Sequence, residues 1–198
     1  MFRDAMGTKN WTVEEIITQA DDSDALGLLK DENDNVGAYL FFTIPKEKYR
    51  GKHLLWIDAI SVRKKLQGNN YYTNGIKEAM LFSGKEYAFG FVGGRSQNPL
   101  IFFLRDELKR KSTLFPFDKL YTDKMMKFLI KNVGEVRKPY EKFRLDVSFG
   151  ICRKAYKGKL GDYNENLIIG RGKRFEEKLR NWNFDRYKGD SLIIIKKL

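Results

Sequence analysis

The sequence predicts an α/β (α+β) domain in which a mixed sheet carries helices on its faces. From residue 36 onward, segments with strand character alternate with segments of helical periodicity. Two early strand segments flank the turn-rich stretch DENDN (31–35), which predicts a β-hairpin. The hydrophobic fraction of 42% is enough to build a sizeable core.

The first half of the chain contains clear start and stop signals. Residues 11–20 (WTVEEIITQA) predict a short helix that begins with a capping box formed by Thr12 and Glu15. Gly84 is the expected C-terminal cap of a second helix. That helix is predicted at 70–82, and strands are predicted at 25–30, 36–44, 54–62 and 86–93.

The second half is less regular, and it shows no internal repeat and no clear domain boundary. We therefore treat residues 1–198 as a single domain with a C-terminal extension from about residue 134. Asn98 and Pro99 predict the start of a helix that runs to about residue 110, and Thr122 predicts the start of another. The other predicted elements are an apolar loop at 114–117, strands at 143–151 and 191–195, and a short helix at 175–182.

Composition excludes several classes of protein. Cys152 is the only cysteine and His53 the only histidine, which argues against a disulfide framework and against a zinc site. The longest apolar runs are too short to span a membrane, so we expect a cytoplasmic protein without a membrane partner. The net charge of +12 makes nucleic-acid binding possible, but the basic residues are dispersed among 26 acidic ones and do not favour it.

The turn between the predicted strand at 54–62 and the helix at 70–82 has a composition suited to an anion. Gly68 permits close approach of a ligand, and Asn69 or Asn70 tolerates left-handed backbone angles. N–H groups at a helix N-terminus attract negative charge, and the basic run 63–65 adds to that attraction. The alternative is a plain strand-to-helix connection that binds nothing.

The stretch VRKKLQGNNYYTNGI (62–76) resembles the acetyl-coenzyme A motif of the GNAT superfamily of N-acyltransferases. RSQNP (95–99) is similar to the segment in which that family often has an asparagine at the cofactor. The resemblance covers roughly residues 25–110. It implies a GNAT-like domain with a mixed, mostly antiparallel central sheet flanked by helices, and an N-acetyltransferase that moves an acetyl group from acetyl-CoA to an amine of a small molecule or protein.

The resemblance also implies where the cofactor binds. The pantetheine of coenzyme A would run beside Ile60 and Val62, and its pyrophosphate would lie on the N–H groups of residues 67–72. The implied cofactor-binding residues are Ile60, Val62, Gln67, Gly68, Asn69, Asn70, Tyr71, Tyr72 and Asn98.

Asp58 is the candidate catalytic base, because period-2 alternation would place it on one strand face with Ile60 and Val62. Alternatively, Asp58 caps a polar network or faces solvent. No general acid is assigned, and Asn70 and Tyr72 stand where the family motif has small residues. A non-catalytic GNAT-like domain, or a basic nucleic-acid-associated binding protein, therefore remains the alternative function.

Overall fold

The computed structural model of the chain describes residues 12–67, 69–97, 114–115, 128, 144–146, 149–159, 177 and 179–198. Among these residues, no helix is long and apolar enough to cross a membrane. The helices whose full bounds lie among the described residues are α1 (Val13–Asp21), a 3₁₀ helix (Lys64–Leu66) and α2 (Tyr71–Ser83). The strands are β1 (Ala25–Lys30), β2 (Val36–Thr43), β3 (His53–Val62), β4 (Phe89–Ser96), β5 (Leu114–Phe115), β6 (Arg144–Asp146), β7 (Ile151–Arg153) and β8 (Ser191–Lys197).

The strands form an 8-stranded sheet with the order β1-β2-β3-β4-β8-β7-β6, and β5 also pairs with β8. Of the pairings in the described chain, β3 with β4 is parallel and the others are antiparallel. The predicted fold class, a mixed and mostly antiparallel sheet with helices, is confirmed.

The local signals in the first half form as expected. In the capping box, the Glu15 N–H donates to the Thr12 hydroxyl at 3.2 Å, and the Thr12 N–H donates to the Glu15 carboxylate at 2.8 Å. In the β1–β2 hairpin, the Asp31 carboxylate accepts from the N–H groups of Asn33 and Asn35. These contacts satisfy backbone groups within a few residues of one another, which is why the sequence alone predicts them.

The core lies on both faces of the sheet. On one face, α2 packs over β1, β2 and β3, and Ile76 is 1% exposed. The approach is close at Gly75, where a β-carbon would lie 3.2 Å from Leu29 Cδ1. On the other face, Trp56 and Phe91 belong to a second buried cluster. Because both faces of the sheet are covered, the central strands consist almost entirely of apolar residues.

Several predicted elements differ from the structure in kind or extent. β4 begins at Phe89, because the N–H groups of residues 86 and 87 bond to the Ser83 carbonyl and form a turn. The predicted strand at 143–151 is the β6–β7 hairpin, since Gly150 has a φ of 65° and turns the chain. The predicted loop at 114–117 contains β5. The predicted helix at 98–110 lies outside the described residues, as does the one beginning at Thr122 except for the helical residue Phe128.

Candidate functional site

The parallel pairing between β3 and β4 ends before either strand does. Its last paired positions are Ile57 and Gly94. Beyond them, β3 stays paired with β2 as far as Val62, and β4 stays paired with β8 to its last residue. We call the resulting gap between residues 58–62 and 95–96 the opening. Strand edges that part in this way present backbone N–H and C=O groups to a ligand.

Gly94 marks the point at which the strands part. A β-carbon at Gly94 would lie 2.9 Å from the Ile57 carbonyl oxygen and 3.4 Å from Ile57 Cβ. The first of these neighbours is backbone, which cannot move aside as the end of a long side chain can. The two strands therefore touch closely immediately before they separate, and only glycine permits that contact.

The chain leads from the opening into α2 through the 3₁₀ helix and a left-handed residue. Asn70 has a φ of 58°, as expected for an asparagine in this turn. Its carbonyl accepts from the Asn74 N–H at 2.9 Å, but its side chain makes no capping hydrogen bond. The first turn of α2 also contains no acidic residue. The start of α2 therefore keeps the partial positive charge of a helix N-terminus without a side-chain cap.

Contacts with β2 and β3 fix this connecting segment. The Arg63 N–H donates to the Gly37 carbonyl at 2.9 Å, and Gln67 Nε2 donates to the Val62 carbonyl at 3.2 Å. A β-carbon at Gly37 would lie 3.1 Å from Tyr71 Cε1. Because β2 lies on the side of β3 away from β4, the Tyr71 ring packs beside β2 and does not fill the opening.

Two of the predicted cofactor-binding residues, Ile60 and Val62, lie on β3 at the border of the opening. Gln67, Asn69 and Asn70 are exposed in the turn before α2. The other predicted contacts are Tyr71, which packs beside β2, and Tyr72, in the first turn of α2; Gly68, Asn98 and the Tyr72 side chain lie outside the described residues.

Asp58 is the extra residue of a β-bulge in β3. Phe42 of β2 faces Ile57, whereas the preceding residue, Phe41, faces Ala59. Between these two pairs, β3 advances by two residues while β2 advances by one. The bulge therefore lies where β3 and β4 part. A bulge redirects the side chains that follow it in the strand.

The predicted face of Asp58 is wrong for this reason. Ile60 packs with the apolar cluster beneath α2. On the other face, Asp58 Oδ2 accepts a hydrogen bond from the Thr43 hydroxyl at 2.7 Å, and the Ser23 hydroxyl lies 3.0 Å away. Asp58 therefore does not share a face with Ile60 and Val62, because alternation does not continue through a bulge.

The C-terminal part of α1 supports the bulge. Gln19 is 4% exposed, and its Nε2 donates to the Asp58 carbonyl at 3.1 Å. The Ser23 hydroxyl lies 2.8 Å from the Gln19 carbonyl as well as beside the Asp58 carboxylate, so its single proton is shared between them. These contacts hold the Asp58 carboxylate at the border of the opening.

Two buried hydroxyls lie farther along the same face. Tyr39 and Ser61 face each other across β2 and β3. Burial raises the pKa of Tyr39 far above its ordinary value, and the nearby Ser61 hydroxyl opposes that rise. Tyr39 is therefore a neutral phenol at physiological pH and cannot act as a base there.

The β4 side of the opening carries a contact that sequence reasoning missed. Arg95 Nε lies 3.5 Å from the Tyr156 hydroxyl, and the Arg95 guanidinium lies 5.3 Å from the centre of the Tyr156 ring. Next to them, Gln97 Nε2 donates to the Gly158 carbonyl at 3.1 Å, and Arg186 Nε donates to the Gln97 carbonyl at 2.8 Å. No local pattern links residues that stand 61 positions apart in the chain.

Three solved structures are similar to parts of this chain. A Trypanosoma brucei acetyltransferase matches 43% of this chain with 15% identity and a TM-score of 0.35. A protein assigned as a phosphinothricin N-acetyltransferase matches 53% with 15% identity and a TM-score of 0.41, and its match covers 67% of that protein. A Bacillus halodurans protein matches 50% with 12% identity and a TM-score of 0.36, and its match covers 68% of that protein.

The match to the Trypanosoma brucei acetyltransferase spans only 61% of that protein. No protein-family model matches this chain, and no curated protein sequence matches it. Because the identities and TM-scores are low, the fold assignment depends on the sheet itself. Its hairpin, its single described parallel pair and the helix that follows β3 agree with the arrangement that the resemblance to the GNAT superfamily implies.

Proposed function

We propose that this chain is an N-acetyltransferase that moves an acetyl group from acetyl-coenzyme A to an amine. The observation that carries the proposal is the separation of β3 from β4 beside the start of α2. An extended amide-bearing ligand can pair with the parted strand edge, and a diphosphate can lie on the helix N-terminus. The two halves of coenzyme A have these two chemistries.

The residues around the start of α2 fit an anionic ligand. No acidic side chain lies in its first turn, and Asn70 provides no side-chain cap. Lys64 and Lys65 are exposed in the preceding 3₁₀ helix. Arg63 Nε is buried and has no hydrogen-bond partner among the described residues. We assign the cofactor pyrophosphate to the N–H groups of residues 67–72, and its pantetheine to the β3 edge near Ile60 and Val62.

Asp58 is the group that we assign to proton transfer. An ammonium group must lose one proton to become a nucleophilic amine, and a carboxylate at the border of the opening can accept that proton directly or through water. The Thr43 hydroxyl holds the Asp58 carboxylate in place at 2.7 Å. When bound, acetyl-coenzyme A would supply a thioester whose C–S bond is exchanged for the amide C–N bond, with the amine's proton ending on the released thiol. We place this activity in the cytoplasm, where the buried thiol of Cys152, which forms no disulfide, would stay reduced.

Calorimetry with coenzyme A and acetyl-coenzyme A tests the cofactor site. We expect a dissociation constant on the order of 10 µM for the unmodified chain. Asn70→Asp adds one negative charge at the start of α2 with almost no change in size. We expect it to weaken binding by about tenfold, while the free energy of unfolding stays the same or rises, because a carboxylate favours a helix N-terminus.

Asn33→Asp is the matched control, since Asn33 is an exposed residue of the β1–β2 turn. It adds the same charge away from the opening and should leave the dissociation constant within about twofold. Absence of coenzyme A binding at millimolar concentration would contradict the proposal. Tight RNA or DNA binding in its place would favour the alternative of a basic nucleic-acid-associated domain.

A further inference from the structure

The two borders of the opening carry opposite charges on one face of the sheet. Trp56 and Gly93 are paired positions of β3 and β4, and Trp56 belongs to the buried cluster on the face away from α2. Arg95 lies two residues beyond Gly93 on β4 and therefore projects to that same face. The hydrogen bond from the Thr43 hydroxyl places the Asp58 carboxylate on this face as well. Ile193, which pairs with Arg95 from β8, belongs to the same cluster.

The Arg95 guanidinium is held in a defined position. It stacks over the Tyr156 ring at 5.3 Å, with its Nε directed at the Tyr156 hydroxyl. The Tyr156 N–H donates in turn to the Gly189 carbonyl at 3.0 Å, which ties this segment to the residues before β8. A planar guanidinium fixed by an aromatic ring is well suited to bind a carboxylate, because less side-chain freedom is lost on binding.

The N-terminal helix borders the same region on a further side. Glu15 of α1 forms an ion pair with Lys157 at 3.5 Å. This ion pair joins α1 to the segment that carries Tyr156. Gln19 of α1 contacts Asp58, and its Oε1 is buried without a hydrogen-bond partner among the described residues. A buried carbonyl oxygen of this kind is an acceptor for an N–H donor such as an ammonium group.

We propose that the acceptor is an amine with a carboxylate attached close to it, namely a free amino acid. Its ammonium group would lie at Asp58 and Gln19, and its carboxylate at Arg95. This inference rests on the proposed acetyltransferase function and narrows its acceptor. Opposite charges on the two borders favour a zwitterion over a polyamine, whose second cation would face Arg95.

Matched pairs of amino acids and their carboxamides test this inference. Binding of each compound to the full chain is measured by calorimetry with and without coenzyme A, and acetylated products are measured by mass spectrometry with acetyl-coenzyme A. We expect each preferred amino acid to bind about tenfold or more tightly than its carboxamide. A dipeptide, in which the carboxylate is farther from the ammonium group, should bind as weakly as the carboxamide.

Arg95→Gln should abolish the preference for the amino acid while leaving the affinity for coenzyme A within about twofold. Arg180→Gln is the matched control, because Arg180 is exposed in a helical segment. Equal binding of amino acids and carboxamides, stronger binding of polyamines, or an unchanged preference in Arg95→Gln would overturn the inference. So would the absence of acceptor binding, whereas loss of coenzyme A binding by the unmodified chain would count against the acetyltransferase function itself.

Discussion

The strands β3 and β4 border the same opening but are supported by different interactions. β3 is backed by β2 from Trp56 to Val62, and its bulge is held by neutral side chains: Gln19, Ser23 and Thr43. β4 is backed by β8 and by the residues that precede β8. Among these, the Asp190 carboxylate accepts hydrogen bonds from a charged side chain and from backbone N–H groups. The comparison indicates that the β3 border depends on burial and hydroxyl groups, and the β4 border on a buried charge.

Asp190 is the residue on which the β4 border depends most. It is 4% exposed and accepts from Arg153 Nη1 at 2.8 Å and from the N–H groups of Lys154 and Asp185 at 3.1 Å each. Burial lowers the pKa of Arg153, but its hydrogen bonds to Asp190 and Asp146 outweigh that effect and raise the pKa overall. Arg153 therefore remains charged, and Asp190 is its most buried partner.

We expect the largest effect from Asp190→Ala, with a loss of about 3 kcal/mol in the free energy of unfolding. The substitution leaves two backbone N–H groups without a partner and removes the ion pair between Asp190 and Arg153. Urea denaturation measures the loss. Lys188→Ala is the control, since the exposed Lys188–Asp185 pair at 3.5 Å should contribute less than about 0.5 kcal/mol. Equal losses in the two variants would contradict the dependence on a buried charge.

A smaller loss in the free energy of unfolding is expected at Gly94, where β3 and β4 form their last pair. Gly94→Ala places a β-carbon 2.9 Å from the Ile57 carbonyl oxygen, and we expect a cost of about 2 kcal/mol together with weaker coenzyme A binding. Gly27→Ala in β1 is the matched control, because its β-carbon would meet Leu40 Cβ at 3.8 Å, an ordinary contact. If both variants unfold at the same urea concentration, the strands do not need this close approach.

The smallest effect tests the β3 border and depends on pH. In the unfolded chain, the Tyr39 phenol loses its proton near pH 10. In the folded chain, burial raises the pKa of Tyr39, so the phenol stays protonated at that pH. The stability that depends on the neutral phenol is therefore complete below pH 10 and falls as the pH rises above it. Removing the hydroxyl removes this dependence.

Tyr39→Phe should accordingly lose about 1 kcal/mol at pH 8, and the difference from the unmodified chain should shrink by up to about 1.4 kcal/mol per pH unit above pH 10. Urea denaturation at pH 8 and pH 11 measures it. Tyr187→Phe, at a residue that is 77% exposed, is the control. If the loss of stability caused by Tyr39→Phe grew between pH 8 and pH 11, folding would not raise the pKa of Tyr39.

The sequence predicted features that are decided within a few residues. The Thr12–Glu15 capping box, the turn around Asp31 and the left-handed Asn70 all depend on short-range chemistry, and each is present. The bulge at Asp58 was not predictable, because it is defined by pairing with β2. Alternation within one strand contains no information about an extra residue relative to its partner.

The candidate site also has features that the sequence predicted and features that it did not. The resemblance implied a pantetheine beside Ile60 and Val62, and both residues lie at the border of the opening. The contact between Arg95 and Tyr156 joins segments far apart in sequence, and neither residue belongs to a local motif that points to the other. Such contacts depend on the order of strands in the sheet, which local periodicity does not determine.

The extra residue in β3 has a consequence for how this chain should be aligned with others. Deleting Asp58 would leave residues 59–62 in their present register with β2, with Ile60 still beneath α2 and the Ser61 hydroxyl still on the other face. A one-position gap therefore preserves the chemistry of both faces only when it is placed at Asp58, and a gap elsewhere in the strand would mismatch them. Sequences compared with this one are best matched on the length of this strand before its individual residues are compared.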